Sequence, residues 1–278
     1  MPPPVAQGTN MATLDLLKII RRRTFLSETV YIILNIFFAV VIAIVMRTTA
    51  SLWLALLLVL ISKWRVLAVR FRYWLANIQA NLVDVAVSVA VVLSLYSIEL
   101  TSLTDLKKWF LAGVVTVLYV AWLLMLKPRS TRRAMAWQAG IALFFATSVL
   151  FVFDYAWPAW GVVAAMWVIG YATARHVLST YDEDRITLLS LAFAFVMAEI
   201  GWVGYHWVVG YEIPFLQGLM VPQISLIVIL LAFVVQRAYD SFFHYQKIRS
   251  VDVLLPILLL IAVTLVLLVF FGQLGTTI

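Results

Sequence analysis

Residues 75–98 read LANIQANLVDVAVSVAVVLSLYSI, with Asp84 the one formal charge in the run. As a helix this run is about 36 Å long, enough to cross about 30 Å of hydrocarbon. Its polar residues are not scattered. Asn77, Asn81, Asp84 and Ser88 follow one another at spacings of four, three and four, which places them on one helical face. An apolar helix with one polar stripe is what a membrane-embedded bundle requires of a span that packs inward.

The same pattern extends in both directions. Apolar runs at about 30–46, 50–62, 75–98, 109–126, 134–153, 159–177, 186–210, 216–236 and 253–272 predict nine transmembrane helices. The second run is short. It has to snorkel through Lys63 and Trp64, thin the bilayer, or sit partly re-entrant. Assigning the gaps alternately to two sides puts 17 of the 20 Lys and Arg residues on one side, leaving only Arg47, Lys107 and Lys108 on the other. This positive-inside bias predicts an all-α polytopic bundle with a cytoplasmic N-terminus and an external C-terminus.

Composition agrees with that class. The 278 residues are 65% hydrophobic and 12% charged, with a mean hydropathy of +1.04. Soluble domains carry about 25% charged residues. The net charge of +7 belongs to residues that flank apolar runs, so it points to the lipid bilayer and to topology, with no nucleic acid as partner. The chain has no Cys, which excludes disulfides, thiolate metal sites and thiol catalysis. No phosphate-binding glycine loop appears. The sequence calls for no cofactor and no metal.

Three regions are expected along the chain: a polar, Pro-rich, disordered tail at 1–10, a cytoplasmic interfacial amphipathic segment at 11–27, and one transmembrane domain at 28–278. Met11 is a candidate start. The first apolar run lacks a small-x-small cleavage site and reads as an uncleaved span. That favours a bacterial plasma membrane as the location.

Functional candidates are the polar groups inside the membrane, because each costs a few kcal/mol there. Asn77, Asn81, Asp84 and Ser88 either line a water-filled vestibule or join the third span to a neighbour. In the seventh span Glu199 sits near the middle, with His206 two turns further along, so the pair is either a proton relay or a set of satisfied structural groups. If the third and seventh spans touch, Asp84 and Glu199 share a pocket. On another face of the seventh span Ser190, Ala194 and Ala198 form a small-residue ridge for a close neighbour. Asp182, Glu183 and Asp184 in the loop before that span either hold Mg²⁺ with a diphosphate or oppose the dipole of the following helix.

These features support a permease-like or ion-handling protein, or a membrane subunit that serves a protein partner or forms a homo-oligomer. A third reading comes from topology. Asn77, Asn81 and Asp84 near the second connection, and Asp182, Glu183 and Asp184 in the sixth, give an arrangement that resembles the UbiA-type intramembrane prenyltransferases. That family has nine spans, a cytoplasmic N-terminus and Asp-rich motifs at those two connections. The resemblance implies a lipid-substrate transferase. It departs from the family where the second connection is basic instead of Asp-rich.

Overall fold

The computed structural model describes residues 8–181, 183–207, 209–212 and 219–270. Among them the chain is an all-α polytopic membrane bundle. Eight helices are long and apolar enough to cross a bilayer, and Leu52–Ser62 is a shorter apolar one. The order is α1 (Gly8–Thr49), α2 (Leu52–Ser62), α3 (Trp64–Leu67), α4 (Trp74–Leu100), α5 (Asp105–Ala121), α6 (Arg132–Val152), α7 (Ala159–Leu178), α8 (Ile186–His206), α9 (Gln223–Tyr245) and α10 (Ser250–Phe270). Strands β1 (Gly210–Glu212) and β2 (Met220–Pro222) pair antiparallel between α8 and α9. Residues 1–7 of the expected tail lie outside the described residues, and residues 11–27 are helical and run without a break into the first span.

The bundle has two apolar centres. Ile42, Met46, Val59, Val92, Tyr119 and Leu123 join α1, α2, α4 and α5. Leu143, Phe151, Val162, Met166, Met197 and Val228 join α6, α7, α8 and α9. Helices α6 and α7 pack on α4 and connect the halves, while α10 packs on α9 at the periphery.

The closest pairing is α7 on α8, and small residues explain it. Ser190, Ala194 and Ala198 are all buried, as the small-residue ridge requires. Opposite them, a Cβ on Gly170 would lie 2.7 Å from the Cβ of Met197, and one on Gly201 2.8 Å from the Cγ of Met166. Backbones approach this closely only where side chains are minimal.

The short α2 has a geometric explanation. Arg47 Nη1 lies 2.5 Å from Glu99 Oε2, and Nη2 lies 3.3 Å from Asp105 Oδ1. The end of α1 is therefore level with the end of α4 and the start of α5. Asn77 Nδ2 donates to the carbonyl of Val66 at 2.6 Å, which places the chain after α2 beside the start of α4. Helix α2 makes this return with 11 residues, about 16 Å. It stops at the depth of Asp84 instead of continuing to the start of α4.

Candidate functional site

The polar stripe of α4 folds into a set of specific pairings. Asp84 is buried, 8% exposed. Its Oδ2 accepts from Lys63 Nζ at 2.5 Å and from Lys127 Nζ at 2.8 Å, and its Oδ1 accepts from Trp122 Nε1 at 3.3 Å. Asp84 thus ties together the end of α2, the middle of α4 and the end of α5. Ser88 donates to the Asp84 carbonyl at 2.7 Å and accepts from the Tyr119 hydroxyl at 3.0 Å. Asn81 donates to the Asn77 carbonyl at 2.8 Å.

Lys127 arrives at Asp84 through a local irregularity. Residues Trp122–Leu126 form a π-helical turn at the end of α5, in which the Lys127 amide donates to the Trp122 carbonyl at 2.9 Å. The extra residue in this turn changes the direction of every side chain after it. Trp122 and Lys127 consequently both reach one carboxylate. On the adjoining α6, Gln138 Nε2 donates to the carbonyls of Leu126 and Arg129 at 2.6 and 2.8 Å, and its Oε1 lies 2.7 Å from His176 Nε2. The end of α5 is therefore held from both sides.

Chemically, the carboxylate is engaged by three donors. Two ammonium groups and an indole N–H occupy three of its roughly four lone-pair sites, and a charge removed from water needs such partners. Sequence reasoning singled out Asp84 and missed Lys63 and Lys127, which it counted among topology signals. One signal was available: a span too short to cross, ending in a lysine.

The seventh-span candidates lie elsewhere. Glu199 is exposed on the outer face of α8. His206 is exposed too, with its ring 4.9 Å from that of Trp202 and 5.2 Å from that of Tyr205. Helices α4 and α8 make no extended contact, so Asp84 and Glu199 are not brought together. In the acidic loop, Asp182 lies outside the described residues. Glu183 accepts from the Tyr239 hydroxyl and from the Arg185 amide. Those donors, the tyrosine first, hold its carboxyl below the ordinary value of 4.5. Asp184 is exposed. Among the described residues no group of three or more His, Asp or Glu is placed to hold a metal ion.

A cavity of about 850 Å³ lies among α6, α7, α8 and α9 and includes neither Asp84 nor Glu199. A volume of that order suits a small-molecule ligand. The walls are mostly apolar, including Leu143, Phe144, Val177, Phe193, Ile229 and Phe233. Along α6 the lining runs from Arg133 to Phe145, about 18 Å at helical rise.

The cavity is a wedge. At one end α8 meets α9, where a Cβ on Gly204 would lie 3.2 Å from Ile224 Cγ1. Towards the other end Leu189, Ala192 and Val196 of α8 and Ile229, Ala232 and Gln236 of α9 all line the space, and the two helices scarcely pack. The wide end carries Arg133, Arg237, Gln236, Tyr181 and Tyr239. There the Tyr181 hydroxyl donates to Asp240 Oδ1 at 3.2 Å, and the rings of Tyr181 and Tyr239 meet edge to face. Burial, with the Asp240 carboxylate next, pushes the Tyr181 hydroxyl up to about 12.

No protein-family model, no curated protein and no solved structure matches this chain. The functional reading therefore rests on its own residues.

Proposed function

We propose that this chain is a lipid-handling membrane protein, permease-like in class, that draws a chain-bearing amphiphile from the bilayer into the wedge between α8 and α9. The observation that carries the reading is the cavity itself. It runs about 18 Å from Arg133 to Phe145 with mostly apolar walls, and α8 and α9, which bound it, scarcely pack. An acyl-like chain satisfies such walls, whereas a hydrated ion would leave its water unreplaced. With the basic end cytoplasmic, as its Lys and Arg favour, the wide end opens at the cytoplasmic leaflet. In this reading Asp84 is a clamp that fixes α2, α4 and α5.

Ion handling through Asp84 and Glu199 has less support, because one carboxylate is paired with two lysines and the other is exposed on the outside of the bundle. A diphosphate transferase has less support for the same reason, since the clamped Asp84 leaves no free carboxylate on α4 to hold Mg²⁺. A second reading, a subunit that serves a protein partner, draws on Glu199. This exposed ionisable group lies on a spanning helix, and a partner helix with a donor would relieve its desolvation.

A photolabile test separates these readings. A diazirine placed within a saturated C16 chain should label peptides of α6, α8 and α9 in the purified protein. The Ala192→Trp and Ala232→Trp substitutions, both on the cavity wall, should each cut that labelling at least several-fold while the thermal midpoint holds. Labelling spread evenly over all helices, and unchanged in both variants, would sink the proposal.

A further inference from the structure

We infer that the amphiphile taken by this cavity carries a phosphate monoester head, held at the wide end by Arg133 and Arg237. The inference rests on the chain-binding reading above and adds the chemical class of the ligand.

The charges around the wide end point this way when they are followed one by one. Arg132 stacks on Tyr181 and Phe243, 4.2 and 5.0 Å from the ring centroids, and lies 4.0 Å from Asp240. Asp240 also takes the Tyr181 hydroxyl and lies 3.6 Å from His244. Glu183 is engaged by Tyr239 and the Arg185 amide. Asp252 takes the Ser241 hydroxyl at 2.8 Å and lies 3.7 Å from Arg249. These carboxylates are engaged, and none of them is paired with Arg133 or Arg237.

Both arginines line the cavity, come from different helices, and are exposed. Among the described residues, neither makes an ion pair or side-chain hydrogen bond. Gln236 adds an amide at the same place.

Chemistry then narrows the ligand. A guanidinium presents paired N–H donors that match the oxygens of a phosphate. A phosphate monoester carries about −1.5 to −2 near neutral pH and three acceptor oxygens, so two guanidinium groups balance its charge. A neutral head would gain no charge pairing from either exposed guanidinium. The chain and head demands meet in one molecule: a long alkyl tail in the wedge and a terminal phosphate at its mouth.

The experiment uses the full chain in a neutral detergent, with hexadecyl phosphate, hexadecanol and inorganic phosphate as probes. Each probe competes with a radiolabelled hexadecyl phosphate tracer. Hexadecyl phosphate should compete at concentrations at least tenfold below hexadecanol. Arg133→Gln and Arg237→Gln should each weaken the phosphate probe about tenfold, the scale of one charge-assisted hydrogen-bonded contact, and leave hexadecanol unchanged. Arg133→Lys should recover part of the loss.

Thermal midpoints should not move, because neither arginine has an ion-pair or side-chain hydrogen-bond partner to lose among the described residues. Equal competition by hexadecyl phosphate and hexadecanol overturns the phosphate assignment and leaves chain binding standing. Competition by inorganic phosphate as effective as by hexadecyl phosphate overturns the amphiphile and makes this a free-anion site. Failure of the tracer to bind at all removes the chain-binding reading as well.

Discussion

At the scale of the residue, Asp84 shows how one buried carboxylate on a spanning helix is matched with partners from its neighbours. It pairs with Lys63, which is largely buried, and with Lys127, which is partly exposed. Removing the carboxylate leaves two ammonium groups close together with no counter-charge. Breaking a buried pair from one side costs about 3–5 kcal/mol, with the lower end expected here because Lys127 is one-third exposed. Asp84→Asn should therefore lower stability by about 3 kcal/mol in a denaturation series in mild detergent. Asp84→Asn combined with Lys63→Met removes the repulsion and should recover a substantial part. A silent Asp84→Asn would mean that the clamp contributes nothing. The polar stripe on α4 was legible because a period of three and four marks one helical face. The two lysines were not, because a flanking lysine that obeys the topology rule looks the same in sequence whether or not it turns inward.

At the scale of the element, the contact between α7 and α8 was half legible. The Ser190–Ala194–Ala198 ridge announced a close neighbour, and all three are buried. It did not say which helix, since a small-residue face has no address. Gly170 on α7 supplies the answer, and its environment makes a sharp expectation. A methyl group there would meet Met197 Cβ and Cγ at 2.7 Å and the backbone Cα of Ala194 at 3.1 Å. The backbone cannot yield as a side chain does, so Gly170→Ala should force the helices apart and cost about 1–3 kcal/mol, as overpacking does in other cores. Gly140→Ala is the control, because its nearest neighbour is Ile229 Cδ1 at an ordinary 3.6 Å. Thermal unfolding of the two variants side by side decides the matter, and equal midpoints would refute the close approach. The π turn at Trp122–Leu126 and the divergence of α8 from α9 were illegible for a different reason. Hydrophobic periodicity reports which face is buried, and neither an extra residue in a turn nor an angle between helices changes that pattern enough to be seen.

At the scale of the whole molecule, the basic residues and the ion pairs make separate statements about the same topology, and they agree. Seventeen of the 20 Lys and Arg residues fall at one end of the alternating spans. Of the three exceptions, Arg47 is neutralised by Glu99 and Asp105 and stacks on Trp109 at 5.0 Å, while Lys108 Nζ donates to the Glu99 carbonyl at 2.8 Å. Acidic partners contribute little to the bias that orients a chain, so these residues still count as exceptions to it. The Arg47–Glu99 pair also demands that the α1–α2 and α4–α5 turns share a side, which holds only if α2 carries the chain back between them. The absence of Cys makes this directly testable with single cysteines and a membrane-impermeant maleimide. Thr49→Cys and Ser102→Cys should both react in intact cells. Ser130→Cys and Lys247→Cys should react only after permeabilisation. Reaction of Ser130→Cys in intact cells would reverse the orientation and turn the wide end of the cavity to the outer leaflet. Opposite behaviour of Thr49→Cys and Ser102→Cys would be more damaging, because it would break the Arg47 pairings with Glu99 and Asp105 that require the chain to return through α2 and the segment after it.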